Sequence, residues 1–390
     1  MDNFVFISPT KFYFGKGAEL KVGEYLSSIG VKNVLIVSGK TSAEKSGLLG
    51  SIREKLDGAG IKHHTLLGVV PNPRDDKVYE GIKICRENNV DFVLGVGGGS
   101  AIDTAKAIAA GVPYEGDFWD FYEDRALVKK ALKIGTVITL PATGSEGSRS
   151  SVITKIDGMV KRGLNTDFIR PVVSFMNPEL TFSLPPYQTA AGITDMLAHI
   201  MERYLSNTRG VDLTDRMCEA VMKSIISEGK KVMENPTDYD ARANLFWAGT
   251  IAHNDVLGIG RVQDWASHQI EHELSALYDV AHGAGLAVVM PNFMRYTLDH
   301  DVSRYAQFAV RVFDCDPDFQ DLRKTALEGI DRLSQFLKSI GMPLTFAEIG
   351  AKEDDIPLLV SKVRRNNQDS VGYFMPLSSA DVEAVYRLCL

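Results

Sequence analysis

The chain has 390 residues, with 43 Lys and Arg against 50 Asp and Glu, for a formal charge of -7. Hydrophobic residues at 45% and charged residues at 24% are the proportions of a soluble globular protein, and the length suits two domains. A weakly acidic chain without a basic block lacks the electrostatic footprint of a nucleic-acid binder, and no apolar run approaches the ~18 residues of a membrane span.

The opening stretch MDNFVFISPTKFYFG has no basic region followed by an apolar core, so a secretory signal is not expected. Cys85, Cys218, Cys315 and Cys389 lie far apart and form no CxxC pair, which points to a reducing cytoplasm rather than a disulfide framework. Phe4–Ile7 and Lys11–Phe14 flank Ser8-Pro-Thr10 and predict a hairpin or an added edge strand. Val34–Val37 reads as a buried strand, followed by a helix over 44–59. A helix over 77–88 leads to a strand at Phe92–Val96, and Ile134–Leu140 and Val172–Met176 are further strands. Strands alternating with helices predict a parallel sheet with crossover helices. After Leu184-Pro-Pro186 the pattern changes to apolar residues at 3–4 spacing over 188–205, 212–234, 239–253, 262–278 and 302–313, which predicts a helical bundle. The two prolines mark the expected boundary between residues 1–186 and 187–390, because neither continues a helix.

Leu94-Gly-Val-Gly-Gly-Gly-Ser-Ala-Ile-Asp-Thr-Ala-Lys106 ends a strand in three glycines, with Ser100 placed to cap a helix running to about Ala110. Glycines let a ligand approach the backbone, and a helix start offers unpaired N–H groups to a pyrophosphate. The pattern Gly95-x-Gly97-x-x-Ser100 departs from the full dinucleotide fingerprint at its last position. A tight turn that binds nothing is the competing reading. Gly144, in Ala142-Thr-Gly-Ser-Glu146, follows another strand and could add a second contact loop.

Five of the eight histidines fall between His199 and His282. Asp195 and His199 are four apart in an expected helix, so they share one face about 5–6 Å apart at Cβ, and His268 and His272 repeat that spacing. His282 follows among glycines that suggest a turn. One carboxylate and three imidazoles from three segments suit a divalent transition metal. His63, His64 and His300 read as ordinary packing or surface residues, and His253 as a neighbour of the site. His268-Gln-Ile-Glu-His272 also matches the inverted zinc-peptidase pattern, with Glu271 as base, but that reading leaves the glycine turn and the Asp195/His199 pair unexplained.

Taken in order, Phe14-Gly-Lys-Gly17, Pro71-Asn-Pro73, Gly97–Lys106, Pro141–Glu146, the Asp195/His199 pair, Asp264–Ser275 and His282-Gly-Ala-Gly285 resemble the iron-dependent (group III) alcohol dehydrogenase family. Within it they are most similar to the branch of butanol dehydrogenases and NADPH-dependent aldehyde reductases. The resemblance spans nearly the whole chain. It implies a Rossmann-like α/β domain with a parallel sheet, followed by an all-helical metal-binding domain, in a dehydroquinate synthase-like arrangement. It also implies Asp195, His199, His268 and His282 as metal ligands, with His272 near the metal and available as a proton relay. Fe(II) is the implied metal, with zinc as the alternative. Gly98, Gly99 and Ser100 are implied at the pyrophosphate, and Asn72, Thr139, Thr143 and Lys161 around the remaining cofactor. Ser148 stands where some reductases of the branch carry Asn. A homodimer acting on a small alcohol or aldehyde is implied, with no nucleic-acid or membrane partner.

An acidic residue after the first long strand would bond the ribose hydroxyls of NAD and repel a 2′-phosphate. This chain has Gly39 there, with Lys40 and Thr41 beside it, which favours NADP(H) over NAD(H). Two readings with the same fold compete: a glycerol or polyol dehydrogenase, and a lyase of the dehydroquinate-synthase type. The lyase should need a basic phosphate-binding set that the sequence does not display.

Overall fold

A computed structural model describes residues 1–364 and 370–390. Contacts divide the chain into two compact units, Ile7–Ser183 and a second unit formed by Leu184–Leu390 together with Met1–Phe6.

In the first unit, strands β1 (Lys11–Phe14), β2 (Asn33–Gly39), β3 (Lys62–Val69), β4 (Phe92–Gly97) and β5 (Lys133–Ile138) precede β6 (Ser150–Lys155), β7 (Val160–Asn165) and β8 (Val173–Met176). Six of them form a sheet in the order β1-β8-β5-β4-β2-β3, with every neighbouring pair parallel. Sequence patterning did not single out β3 or the antiparallel β6–β7 pair. Both alternate too weakly, with polar residues such as His63, His64, Lys161 and Arg162 inside the strands.

The helices of this unit are α1 (Val22–Ser28), α2 (Ser42–Lys45), α3 (Leu48–Gly58), α4 (Asp75–Asn88) and α5 (Gly99–Gly111). The helix expected over 44–59 is thus two. Gly47 takes φ 80°, a left-handed conformation that ends α2 and starts α3. Val34 and Ile36 of β2 pack with α1 and α3, while Leu35 and Val37 pack with α4 and α5. Apolar residues on both faces are what a parallel sheet covered on both sides requires. The chain leaves β2 toward β3 and later leaves β4 toward β5, so the order reverses between β2 and β4. In open α/β sheets, ligands bind outside the carboxyl ends of the strands at such a reversal.

Of the two N-terminal expectations, the added edge strand forms and the hairpin does not. Lys11–Phe14 pairs in parallel with β8 at the sheet edge, and Phe4–Ile7 is in no strand. The first residues are held by the helical unit instead: the Met1 ammonium donates to Arg209 O at 2.9 Å and Asp2 N to Gly260 O at 2.8 Å.

That unit contains α6 (Pro186–Tyr204), α7 (Asp212–Glu234), α8 (Tyr239–His253), α9 (Ala266–Tyr278), α10 (His282–Thr297), α11 (Val302–Phe313) and α12 (Leu322–Ser339). Three shorter helices follow: α13 (Phe346–Ile349), α14 (Ile356–Lys362) and α15 (Ser379–Leu388). From Thr189 to Tyr204, α6 is buried on all sides, which marks it as the central helix. A buried ion cluster adds to the apolar core: Asp215 accepts from Arg304 at 2.6 and 2.8 Å and from Arg261 at 2.7 Å. Among the described residues no helix is long and apolar enough to cross a membrane, and all four cysteines are buried free thiols.

A buried ammonium fastens the loop after β5. Lys106 Nζ, from α5, donates to Ser148 O at 2.9 Å, Ser150 O at 2.8 Å and Ser148 Oγ at 3.3 Å. Asp103, one turn earlier, accepts from Ser145 Oγ at 2.6 Å and Val152 N at 2.9 Å. Burial pulls the Lys106 ammonium down from 10.5 to about 8, against the charges of Asp103 and Glu146. Removing one partner of a buried charge network typically costs about 3–5 kcal/mol, so Lys106→Met should lower the unfolding free energy measured in urea by an amount of that order. From about pH 8 to about pH 10 the unfolded chain keeps a proton that folded Lys106 releases, so stability contributed at this position rises with pH. The stability gap between wild type and Lys106→Met is therefore expected to widen over that range; a constant gap contradicts the account.

Candidate metal and dinucleotide site

Asp195 and His199 lie on one face of α6, at 2% and 3% exposure. His268 lies near the start of α9, and His282 is the first residue of α10 rather than part of a turn. The glycines after His282 serve close packing, not a bend. A Cβ on Gly283 would fall 1.9 Å from Ala191 O, and one on Gly285 would fall 2.3 Å from Glu271 Oε1. Only glycine lets the first turn of α10 approach α6 and α9 this closely.

Three imidazole nitrogens surround one carboxylate oxygen. Asp195 Oδ1 stands 3.6 Å from His199 Nε2, 3.9 Å from His268 Nε2 and 3.7 Å from His282 Nε2. These separations are too long for hydrogen bonds. Donors about 2.1 Å from a shared ion stand about 3.4 Å apart at a tetrahedral angle, so the spacing suits a metal among them. His268 Nε2 is buried and has no hydrogen-bond partner among the described residues. One carboxylate with three neutral imidazoles fits a divalent transition metal. Ligand atoms of Asp195, His268 and His282 all lie within 4.8 Å of one another. His199 joins them through Asp195, with its ring 4.9 Å from that of His268. Burial pushes the His199 imidazole well below its usual range, and the charges of His253, His268 and Arg203 act in the same direction. The ring is therefore neutral and keeps a lone pair.

Two buried glutamates grip the rings from behind. Glu202, also on α6, accepts from His268 Nδ1 at 2.8 Å, and Glu271 Oε2 accepts from His282 Nδ1. Ser275 Oγ donates to Glu271 Oε1. With both its oxygens engaged, Glu271 is not poised as the base of a zinc peptidase. His272 is half-buried on α9, its ring 5.5 Å from that of His282. His253, the expected neighbour, lies tilted against the site, its ring 4.1 Å from that of His199 and 5.3 Å from that of Trp265. Trp265 itself holds φ 70° at the start of α9, a conformation that costs an aromatic residue roughly 1–3 kcal/mol.

Sequence reasoning missed Glu202. Its signal was helical register: Asp195, His199 and Glu202 follow i, i+4, i+7 on one face of α6. The remaining histidines sit apart from this cluster. His63 pairs with Asp57 at 3.1 Å, and His300 with Asn207 at 3.0 Å. His64 lies on β3.

In the sheet unit, the residues expected at the dinucleotide gather at the carboxyl ends of the strands. Gly39 ends β2, Gly98 follows β4, Thr139 follows β5, and Asn72 follows β3 with φ 50°. Thr41 is exposed, immediately before α2. Gly95 permits β4 to touch α5, since a Cβ there would lie 3.0 Å from Ile102 Cα. Gly97 makes the turn with φ 147°. The sequence placed Ser100 as the helix cap, and the structure does not bear this out. Gly98 is the cap residue and Ser100 lies inside α5, because the helix starts one residue before it. The first N–H groups of α5 still lack helical acceptors, which suits an anion. A Cβ on Gly99 would lie 2.5 Å from Thr143, so helix start and following loop are in direct contact. Lys161 Nζ, from β7, donates to Asn72 Oδ1 at 3.0 Å, with both side chains buried. Ser148 is buried as the anchor of Lys106.

Comparison with known proteins agrees with both halves. The model of the iron-containing alcohol dehydrogenase family matches residues 9–178, and that of the Fe-containing alcohol dehydrogenase C-terminal region matches residues 189–390. The chain is 41% identical over 391 residues to a probable NADH-dependent butanol dehydrogenase 2 of Bacillus subtilis, covering 100% of each. It is 33% identical over 375 residues to the NADPH-dependent aldehyde reductase YqhD of Escherichia coli, covering 95% of each. Among solved structures, the NADH-dependent butanol dehydrogenase A of Thermotoga maritima superposes with a TM-score of 0.96 at 37% identity, covering 100% of this chain and 99% of that one. This chain is therefore an oxidoreductase that belongs to the iron-containing alcohol dehydrogenase family.

Proposed function

We propose that the chain is a metal-dependent alcohol dehydrogenase and aldehyde reductase, exchanging a hydride between a nicotinamide dinucleotide and a primary alcohol or aldehyde such as butanol or butanal. The observation that carries this reading is the convergence of three Nε2 atoms on Asp195 Oδ1 in a nearly dry interior. The names of the relatives support the substrate class: butanol dehydrogenases and an aldehyde reductase.

Asp195, His199, His268 and His282 would hold the metal, Fe(II) by family and zinc as the alternative. A divalent ion bound there supplies Lewis acidity toward the substrate oxygen, and the dinucleotide supplies or accepts the hydride. Asp195 contributes the negative charge, and His199 stays neutral through burial. Glu202 and Glu271 hold His268 and His282 with Nδ1 as donor, so that each Nε2 lone pair is available. His282, with its side chain 22% exposed, marks the solvent side of the cluster. His272 is assigned to move the proton between substrate hydroxyl and water, on the strength of its half-buried position beside His282.

For the dinucleotide, Gly98, Gly99 and Ser100 are assigned to the pyrophosphate at the start of α5. Asn72, Thr139, Thr143 and Lys161 are assigned to the remaining phosphate, ribose and nicotinamide. The end of β2 favours NADP(H), because Gly39 offers no carboxylate to repel a 2′-phosphate and Thr41 can donate to it. The relatives' names divide on this point: those at 41%, 41% and 40% identity are called NADH-dependent, and the one at 33% NADPH-dependent. A cytoplasmic setting is supported by the free buried thiols. A homodimer is supported by the exposed run Phe4-Val-Phe-Ile7, with Val5 90% exposed, and by the edge position of β1.

His268→Ala is expected to reduce bound metal from about one per chain to near zero. It should also lower butanal reduction by more than about 100-fold, beyond the loss known for outer partners alone. Metal analysis and steady-state rates check this, and retained metal with near-normal turnover contradicts the ligand set. A second comparison concerns kcat/KM for NADPH and NADH. Wild type is expected to prefer NADPH, and Gly39→Asp to lower kcat/KM for NADPH by about tenfold or more while sparing NADH. A clear NADH preference in wild type would refute the assignment at β2.

A further inference from the structure

We infer that Glu202 is a positioning residue of the metal centre, whose carboxylate sets the tautomer and orientation of His268. The inference rests on the metal ligands proposed above and extends them to a residue outside the ligand set.

Glu202 is 1% exposed and projects from the same α6 face as Asp195 and His199. One helix thus supplies two of the ligands and the group that holds a third, which comes from α9. Glu202 Oε1 accepts from His268 Nδ1 at 2.8 Å, from His268 N at 3.0 Å and from Ser267 Oγ. Its Oε2 accepts from Trp265 N at 2.7 Å, and its backbone carbonyl from Asp264 N at 2.8 Å. The backbone N–H groups of His268 and Trp265 can only donate, so each carboxylate oxygen already serves as an acceptor, and the His268 ring completes the set with Nδ1–H as donor.

Two functions are combined here. The bonds to Trp265 N and His268 N cap the first turn of α9, where the helix dipole favours an anion. The bond to the His268 ring has no part in capping. A proton held on Nδ1 leaves the lone pair on Nε2, the atom that stands 3.9 Å from Asp195 Oδ1. The left-handed backbone of Trp265 is fixed by the same carboxylate, so main chain and ring are registered against one group. Glu271 repeats the ring contact on His282, backed by Ser275 and given room by Gly285. His199 has no such partner: its Nδ1 is buried without a hydrogen bond among the described residues, and its ring is held by stacking on His268 and by a tilted contact with His253. Two ligands are thus oriented by carboxylates and one by packing.

The test is anaerobic titration of the metal-stripped full chain with Co(II), read by its visible absorption, on wild type and Glu202→Gln. Gln keeps the volume but removes the charge and turns one acceptor into a donor. The variant is expected to bind Co(II) about 10–100-fold more weakly, with a shifted band and NADPH affinity unchanged. Wild-type Co(II) affinity and band in Glu202→Gln overturn the inference alone. A wild-type chain that takes up no Co(II) removes the metal reading and this inference with it. If Glu202→Gln does not fold, the 15N spectrum of histidine-labelled, zinc-loaded wild type decides. His268 must show a protonated Nδ1, and a protonated Nε2 overturns the inference.

Discussion

The helical unit is organised around one carboxylate oxygen. Asp195 Oδ1 has three imidazole nitrogens within 3.9 Å of it, and none of those distances is a hydrogen bond. Behind them Glu202 and Glu271 are at 1% and 0% exposure. Withdrawing one ion from water costs several kcal/mol even after relaxation, so so many buried carboxylates demand compensation. Part comes from hydrogen bonds and from the starts of α9 and α10, and the divalent cation proposed for this cluster would supply the rest. The packing follows from that requirement. Gly283 and Gly285 bring α10 against α6 and α9, and Trp265 accepts a left-handed backbone so that α9 begins at the right place.

The sheet unit is built on a different constraint, the close approach of a helix start to a strand end. Gly95 lets α5 lie on β4, Gly97 makes the turn, and Gly99 touches Thr143. Lys106 and Asp103 then fasten the following loop to α5 from below. A residue inside the glycine-rich motif therefore shapes the loop that carries Thr143. The motif is better understood as a helix, a turn and a clamped loop than as glycines alone.

Much of this was legible in the sequence wherever one helix carries the signal. Asp195 with His199, and the His268/His272 pair, are visible by their spacing, and α7, α8 and α11 have the bounds that the apolar periodicity predicts. The partners that join different helices were not legible. Glu202 reaches His268 across 66 positions, and periodicity within α6 could mark its face but not its target. Glycine misled at His282, because Gly283 and Gly285 resemble turn residues by composition while their role is close helix packing. Ser100 misled in the same way, since a serine after glycines resembles a cap although α5 begins at Gly99. Phe4–Ile7 resembles a strand by residue type, yet docking of Met1 and Asp2 on the helical unit draws the chain away from a hairpin. Which of His268 and His272 joins Asp195 was ambiguous from spacing; the orientation of α9 sets His268 beside Asp195 and His272 on its half-buried flank.

The central claim is that a single divalent metal sits among Asp195, His199, His268 and His282. Anomalous diffraction at the iron edge, from crystals grown anaerobically with Fe(II), tests it most directly. The account predicts one strong peak per chain, about 2.0–2.3 Å from an Asp195 oxygen and from the three Nε2 atoms. A peak bound instead by His272 and Glu271, or no peak at this cluster in an enzyme that still reduces butanal, would contradict it.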